Sequence, residues 1–328
     1  MTLPFGARTR VTSDPDVDSD DTDRWDVLLR DHFRTHSADE VRDSRVGSRA
    51  TERPITLPQR PAPSPTRGLG VATAILLTEA IVLALAFVFA PAPAAAARSG
   101  MRFTDESDLR AAFRAEFAAY WNSPRSGFPT GLGDIVDYWF HYHITKAVMA
   151  ALLVIVCATL GIALWRTMAK TRRSRLFSTS AAALLTCCGA FALILTLANI
   201  QGATAPFASL LPMLTDTAPD PRLTDTLNQL DQQLAAGDHT PALTVIVADF
   251  TRYHLVMAVL AAATAVALCV VGAKFWRVTA RSAAGRRGRG LAAFTLLLAA
   301  ALAVVAVANT TTTADPVPAL QDALAGRW

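Results

Sequence analysis

The chain has 328 residues, 52% of them apolar, and a mean hydropathy of +0.31. At that length two soluble domains would fit, but the apolar residues cluster in runs long enough to cross a bilayer, which places the chain in a membrane class. The net charge of +4 hides an asymmetry: basic residues crowd two short stretches without a single acidic residue, 166–175 and 277–289, and such loops belong on the cytoplasmic face.

Residues 1–68 are polar, with acidic runs and a proline-rich end, and cannot bury enough apolar surface to fold alone. They read as a disordered cytoplasmic tail. Within it Trp25, Leu28, Leu29 and Phe33 share one face of a short helix, while His32 and His36 read as solvated. The first apolar run, residues 69–90, has about the 20 residues that a span needs, and arginines upstream orient it outward. The alanine-rich stretch 91–97 resembles a signal-peptidase site, but the tail before it is far longer than an n-region, so the span reads as an uncleaved anchor. Glu79 lies near its midpoint, where a charged carboxylate is costly unless it is protonated, hydrogen-bonded or paired within a bundle.

Residues 105–121 place Leu109, Phe113, Phe117, Tyr120 and Trp121 on one stripe, which predicts an amphipathic helix capped by Thr104 and lying on the membrane or on other outer segments. Glycines 127–133 should break it. A helix then runs from near Asp134 to Trp165, crossing the membrane at about 144–166. The basic loop holds Arg172-Arg173 ahead of an apolar run and resembles a twin-arginine export motif; its place after a span suits a cytoplasmic anchor instead. A third span covers about 180–200. Leu223, Leu227, Leu230 and Leu234 then mark a narrow stripe on an otherwise polar helix, which should pack on a partner. Pro241 suits a first helical position, so the fourth helix begins well before its span at about 255–276. The fifth span covers about 291–309 and leaves an outer tail.

Two stretches match one another. A shift of 111 carries Val136 onto Val247, Tyr142-His143 onto Tyr253-His254, Gly161 onto Gly272 and Trp165-Arg166 onto Trp276-Arg277. A shift of 110 carries Asn199 onto Asn309, Pro206 onto Pro316 and Leu214 onto Leu324. The expected fold is therefore an all-α membrane protein: one anchor span and two duplicated two-span hairpins, 91–214 and 215–328, with the N-terminus cytoplasmic and the C-terminus outside.

His143 and His254 fall at one depth on equivalent helices. Facing each other across a four-helix bundle, they would suit bis-histidine haem ligation. A divalent metal is the other possibility, with Asp137, His141, His143 and His254 as donors and Asp249 nearby. The favoured reading needs no cofactor: Tyr138, Trp139, Phe140, Tyr142, Phe250 and Tyr253 form an interfacial aromatic belt in which histidine is one more amphipathic ring. Trp165, Arg166, Trp276 and Arg277 anchor the inner interface by aromatic ring and snorkelling cation. Gly161 and Gly272 permit close helix approach, Lys146 snorkels toward outer water, and Asn199 and Asn309 cap their helices or bond across the bundle.

No phosphate-cradling glycine loop, nucleophile elbow, zinc-protease helix or Cys-x-x-Cys pair occurs, and all four cysteines sit in apolar runs, which excludes a secreted disulfide framework. The repeated unit, from His143-Ile144-Thr145-Lys146 through Trp165-Arg166 and Leu197-Ala198-Asn199-Ile200-Gln201-Gly202, resembles multi-pass integral membrane proteins of streptomycetes and related actinobacteria, often labelled as twin-arginine signal proteins by motif search. The resemblance covers residues 134–214 and, more weakly, 247–324. It implies a plasma-membrane protein of a Gram-positive actinobacterium and carries no reaction. The expected function is a non-enzymatic scaffold of the cell envelope, in contact with membrane lipid and with a protein partner or further copies of itself, and without a nucleic-acid partner. A haem- or metal-binding redox protein and a small-molecule permease are the alternatives.

Overall fold

A computed structural model describes residues 65–328 except 124, 171–174, 218–219, 281–284 and 328; for 65–69, 165, 167–170, 175–179 and 285–287 it describes the backbone alone. Residues 1–64 of the expected tail, with its Trp25 stripe, His32 and His36, and the Arg172-Arg173 pair lie outside the described residues; residues 65–68, expected as the end of the tail, are helical. Every regular element described is helical.

Helix α1 (Pro65–Phe89) stops before Pro91, which cannot donate the next helical hydrogen bond. Helix α2 (Pro91–Ser99) follows at once, so the alanine-rich stretch is helical, with Ala95 fully buried. Gly100 ends it at φ 75°, the left-handed conformation that glycine adopts without strain. Helix α3 (Glu106–Trp121) is capped by Asp105, not Thr104. The Asp105 carboxylate accepts from the backbone N–H of both Ser107 and Asp108, while the Asp108 carboxylate accepts from Thr104 N–H at 3.2 Å. A carboxylate offers more lone pairs to the open helix end than a hydroxyl does.

Helix α4 (Thr130–Lys170) begins four residues before the expected Asp134, taking Gly131 and Gly133 into its first turn. A Cβ on Gly131 would come within 2.6 Å of the Glu116 carboxylate, so this glycine lies within the helix and leaves room for the end of that α3 side chain. After α4 come α5 (Arg175–Thr204), α6 (Pro206–Leu210) and a single 3-10 turn (Leu211–Leu214). Helix α7 (Pro221–Ala236) starts on an Asp220 cap and ends at Gly237, φ 71°. Helices α8 (Pro241–Ala280), α9 (Gly285–Ala314) and α10 (Pro316–Leu324) complete the chain. Pro241 does open α8, as a residue with no N–H to lose suits a first turn.

Five of these helices, α1, α4, α5, α8 and α9, are long and apolar enough to cross a membrane, the architecture of a multi-pass membrane protein. Their packing is pairwise. Helix α4 lies along α5 and α8 along α9, and the two pairs meet through α5 against α8. Small residues set the spacing: a Cβ on Gly272 would stand 3.0 Å from the Leu296 side chain, and one on Gly189 would stand 3.4 Å from the Cys157 Cβ. Ala150, Ala261, Ala292 and Ala299 are almost fully buried along the same seams. Large residues such as Leu184, Phe191, Val266, Leu297 and Val304 point away from the bundle. A span has no hydrophobic drive toward another span in lipid, so small residues go inside and branched ones face the tails.

The largest core sits at one end of the bundle, in a helical head. It combines α2, α3, the starts of α4 and α8, α6, the 3-10 turn, α7 and α10. Phe113, Phe117, Tyr120, Phe207, Leu210, Leu214, Leu230 and Ile246 are wholly or almost wholly buried there. Phe207 stands at the centre, with Phe128 at 4.8 Å and Phe113 and Phe117 both at 6.3 Å between ring centroids. Burying each such ring contributes roughly 1.5–3 kcal/mol. The amphipathic stripe of α3 therefore packs on other head segments. Arg110 and Arg114 brace α3 to the loop after the 3-10 turn through the Asp216 carboxylate, and Arg114 also donates to the carbonyls of Met213 and Thr217.

Candidate functional site

His143 on α4 and His254 on α8 lie where the long helices enter the head, and each has an asparagine partner from its own hairpin. The Asn199 amide nitrogen on α5 donates to Leu195 O at 2.8 Å, so the atom it turns to His143 is its carbonyl oxygen. His143 Nδ1–H must then be the donor in the 2.9 Å contact with Asn199 Oδ1. The second pair repeats this geometry. Asn309 on α9 donates to Val305 O at 2.9 Å, and His254 Nδ1–H donates to Asn309 Oδ1 at 2.8 Å. Both imidazoles are thus held as the Nδ1–H tautomer, which leaves the free lone pair on Nε2.

Their surroundings differ. His143 is walled by the edges of Trp139 at 4.7 Å and Tyr142 at 5.9 Å. A Cβ on Gly202 would fall within 2.8 Å of its ring, so α5 can cover the imidazole only because glycine stands there. Its Nε2 is buried without a hydrogen-bond partner among the described residues. His254 packs against Phe250 at 4.6 Å and Tyr253 at 5.5 Å, and borders a cavity of about 280 Å³ shared with Ala208, Pro212, Asp322 and Arg327. Arg327 and Asp322 form an ion pair at 2.6 Å on its wall.

Side chains around these pairs tie the short α6 between the hairpins. Asp249, one turn before Tyr253 on α8, accepts from Ala208 N–H at 2.8 Å. Trp139 Nε1–H donates to Ser209 Oγ at 2.8 Å, and Gln201 donates to Tyr253 O at 3.1 Å. Asp249 was visible in the sequence only as a neighbouring carboxylate; its use as an anchor for a helix start depends on α6, whose five residues carry too little periodicity to be noticed.

The remaining candidates do not converge. Each imidazole bonds an asparagine of its own hairpin through Nδ1, which leaves Nε2 as the atom that could ligate a haem iron. His141 Nδ1 sits 2.9 Å from the Asp137 carbonyl and 3.4 Å from its carboxylate, a local pair one turn apart on α4. Among the described residues no three His, Cys, Asp or Glu side chains gather as a metal site, so Asp137, His141, His143 and His254 do not form one donor set. The reason is rotational: Asp137 and His141 follow one line down α4, and His143, two residues on, points about 200° away from His141. Lys146 places its ammonium over the Tyr142 ring at 4.7 Å and over Phe87 of α1 at 5.1 Å. Glu79 is exposed on α1. Arg166, Trp276 and Arg277 are exposed at the far ends of α4 and α8, with Trp276 43% accessible; the Trp165 side chain lies outside the described residues.

Two groups of α3 and its cap have shifted acidity. The hydrogen bond from Ser107 and those from the backbone hold the exposed Asp105 carboxyl below the usual carboxylate range. Burial raises the Tyr120 phenol, whose O–H donates to Ser126 O at 3.1 Å. Comparison with protein-family models, with curated proteins and with solved structures finds no match for the chain.

Proposed function

We propose that this is a multi-pass plasma-membrane protein with a cytoplasmic N-terminus and an extracytoplasmic C-terminus, built from two duplicated hairpins, and that its head is a non-enzymatic platform for a protein partner in the cell envelope. One observation carries the reading. The head buries the stripes of α3 and α7 in a single core and leaves a continuous polar face on α7, with Asp225, Asn228 and Gln232 exposed. A rigid helix face of this kind suits recognition by a polar-rimmed protein surface better than it suits enclosure of a substrate. The acid-free basic loops at the opposite ends of α4–α5 and α8–α9 support the orientation. Photo-reactive residues at Ala115, Asn228 and Gln232 in living cells should capture one discrete protein that control positions on α9 do not. Absence of any head-specific adduct would remove the platform reading.

A second reading, a haem- or metal-binding redox protein, draws on the bare Nε2 atoms. Each histidine would serve as an axial ligand through Nε2. An absorption spectrum with elemental analysis of the purified protein tests this: a haem band or stoichiometric metal, lost in His143→Ala or His254→Ala, would put this reading first.

A further inference from the structure

Helix α1 is the span least covered by the rest of the chain. One face of it, Leu76, Ala80 and Leu83, packs on Val156 and Leu160 of α4, with Met149 and Leu153 beside them. The remainder looks outward, with Ile75 61%, Val82 56% and Phe89 70% accessible. Several outward lines along α1 have helical spacing; on one of them the exposed Thr78 hydroxyl donates to its own helix at Ala74 O, and another carries an ionisable group at mid-depth. That line is Ala72, Ile75, Glu79, Val82, Ala86 and Phe89, in alternating steps of three and four.

Glu79 has no hydrogen bond or ion pair to any described residue, although it stands at the centre of the 20-residue apolar stretch Gly70–Phe89. A carboxylate facing hydrocarbon is costly, and a neutral carboxylic acid still needs a donor and an acceptor. Among the described residues no cation stands midway along a span: Lys146 is held over Tyr142 and Phe87, and Arg252, Lys274, Arg277 and Arg289 lie nearer the span ends. A second copy inserted with the same topology presents its own Glu79 at the same depth. Two carboxylic acids side by side each donate one O–H and accept one, which satisfies both groups. The small residues Ala72 and Ala86, one above and one below, allow the two helices to approach closely.

We propose that α1 joins two copies of this chain in parallel along the Ala72–Ile75–Glu79–Val82 line, with two protonated Glu79 carboxyls hydrogen-bonded across the axis. The proposal rests on α1 spanning the membrane but not on what the head binds. It gives the platform a defined multiplicity, two heads per assembly.

The test uses the full-length chain in native membranes, with Cys157, Cys187, Cys188 and Cys269 replaced by alanine. Single cysteines are placed on the line (Ile75→Cys, Val82→Cys) and on the opposite outward face (Ile81→Cys, Val88→Cys), then oxidised with copper phenanthroline. Covalent dimers are expected at 75 and 82 and not at 81 or 88. In the Ile75→Cys background, Glu79→Gln keeps the dimer, because an amide also donates and accepts, whereas Glu79→Leu lowers the dimerisation constant about tenfold, the scale of one interhelical hydrogen bond. Monomers at all four positions, or equal yields around the helix, would overturn the proposal. So would equal loss in the Gln and Leu variants, which would assign the line to a different protein carrying a cation. Extraction of the parent chain from membranes by alkaline carbonate would instead overturn the spanning reading, and the dimer with it.

Discussion

At the scale of single residues, the two histidine–asparagine pairs are the most constrained polar features of the long helices. Each joins the two helices of one hairpin, and each asparagine also bonds its own helix one turn back, so neither side chain is free to turn. A double-mutant cycle on His143→Ala and Asn199→Ala should show a coupling of about 1 kcal/mol in thermal unfolding of the detergent-solubilised protein, and the His254–Asn309 cycle a similar one. Strict additivity would deny the hydrogen bond. Gly202 gives a sharper contrast. Gly202→Ala puts a methyl against the His143 ring and should cost about 1–3 kcal/mol, although alanine is the better helix former. In the head, the Asp105 cap has a depressed folded pKa. Its contribution is present in full above the ordinary carboxylate range and is lost as pH falls through the folded value. Asp105→Ala should therefore be less helical than the parent chain on acid titration down to about pH 4, with the two curves converging only as pH falls on through the lower folded value.

At the scale of elements, short helices with strong stripes do the work of closing the head. On α7, Leu223 and Leu230 are almost fully buried, and Leu227 only partly so. Leu230→Ala should cost about 2–5 kcal/mol and Leu227→Ala clearly less, read as the melting of the head in detergent. Equal effects would mean that α7 is rotated from the position described. The connection to α3 is polar as well as apolar, since Trp121 Nε1–H donates to Gln229 at 3.2 Å. Helix α6 shows the opposite case. It has no stripe of its own and is held by two side chains from longer helices, Asp249 and Trp139, and by the burial of its own Phe207.

At the scale of the whole molecule, burial is divided between two solvents. Toward lipid the bundle shows branched side chains and keeps alanine and glycine inside; in the head the large aromatic residues are inside and the charged ones outside. The proposed orientation predicts that a cysteine at Gln232, in an otherwise cysteine-free chain, reacts with a membrane-impermeant maleimide in intact cells. A cysteine at Val278, near the opposite end of α8, should react only after the cells are opened. The reverse pattern would invert the topology and place the head in the cytoplasm.

Several features could be read from the residues alone because their signals are local. Five apolar stretches of spanning length, the stripes of α3 and α7, and the start of α8 at Pro241 each depend on residues within a few turns of one another. The matching shifts of 111 and 110 even contained both members of the histidine–asparagine pairs, without any sign that they touch. Partners 56 and 55 positions apart leave no mark in periodicity, and a neutral imidazole has no preferred mate until packing brings one within reach. The same holds for Gly131, whose missing side chain admits Glu116 from another helix, and for Asp249, whose carboxylate found a backbone N–H of α6 where a metal had been conceivable. Hydrophobic length and helical period decided which segments became helices and which of those could enter a bilayer. Only the tertiary structure decided which way the polar side chains on those helices turned, because rotation about a helix axis is fixed by the neighbours it packs against.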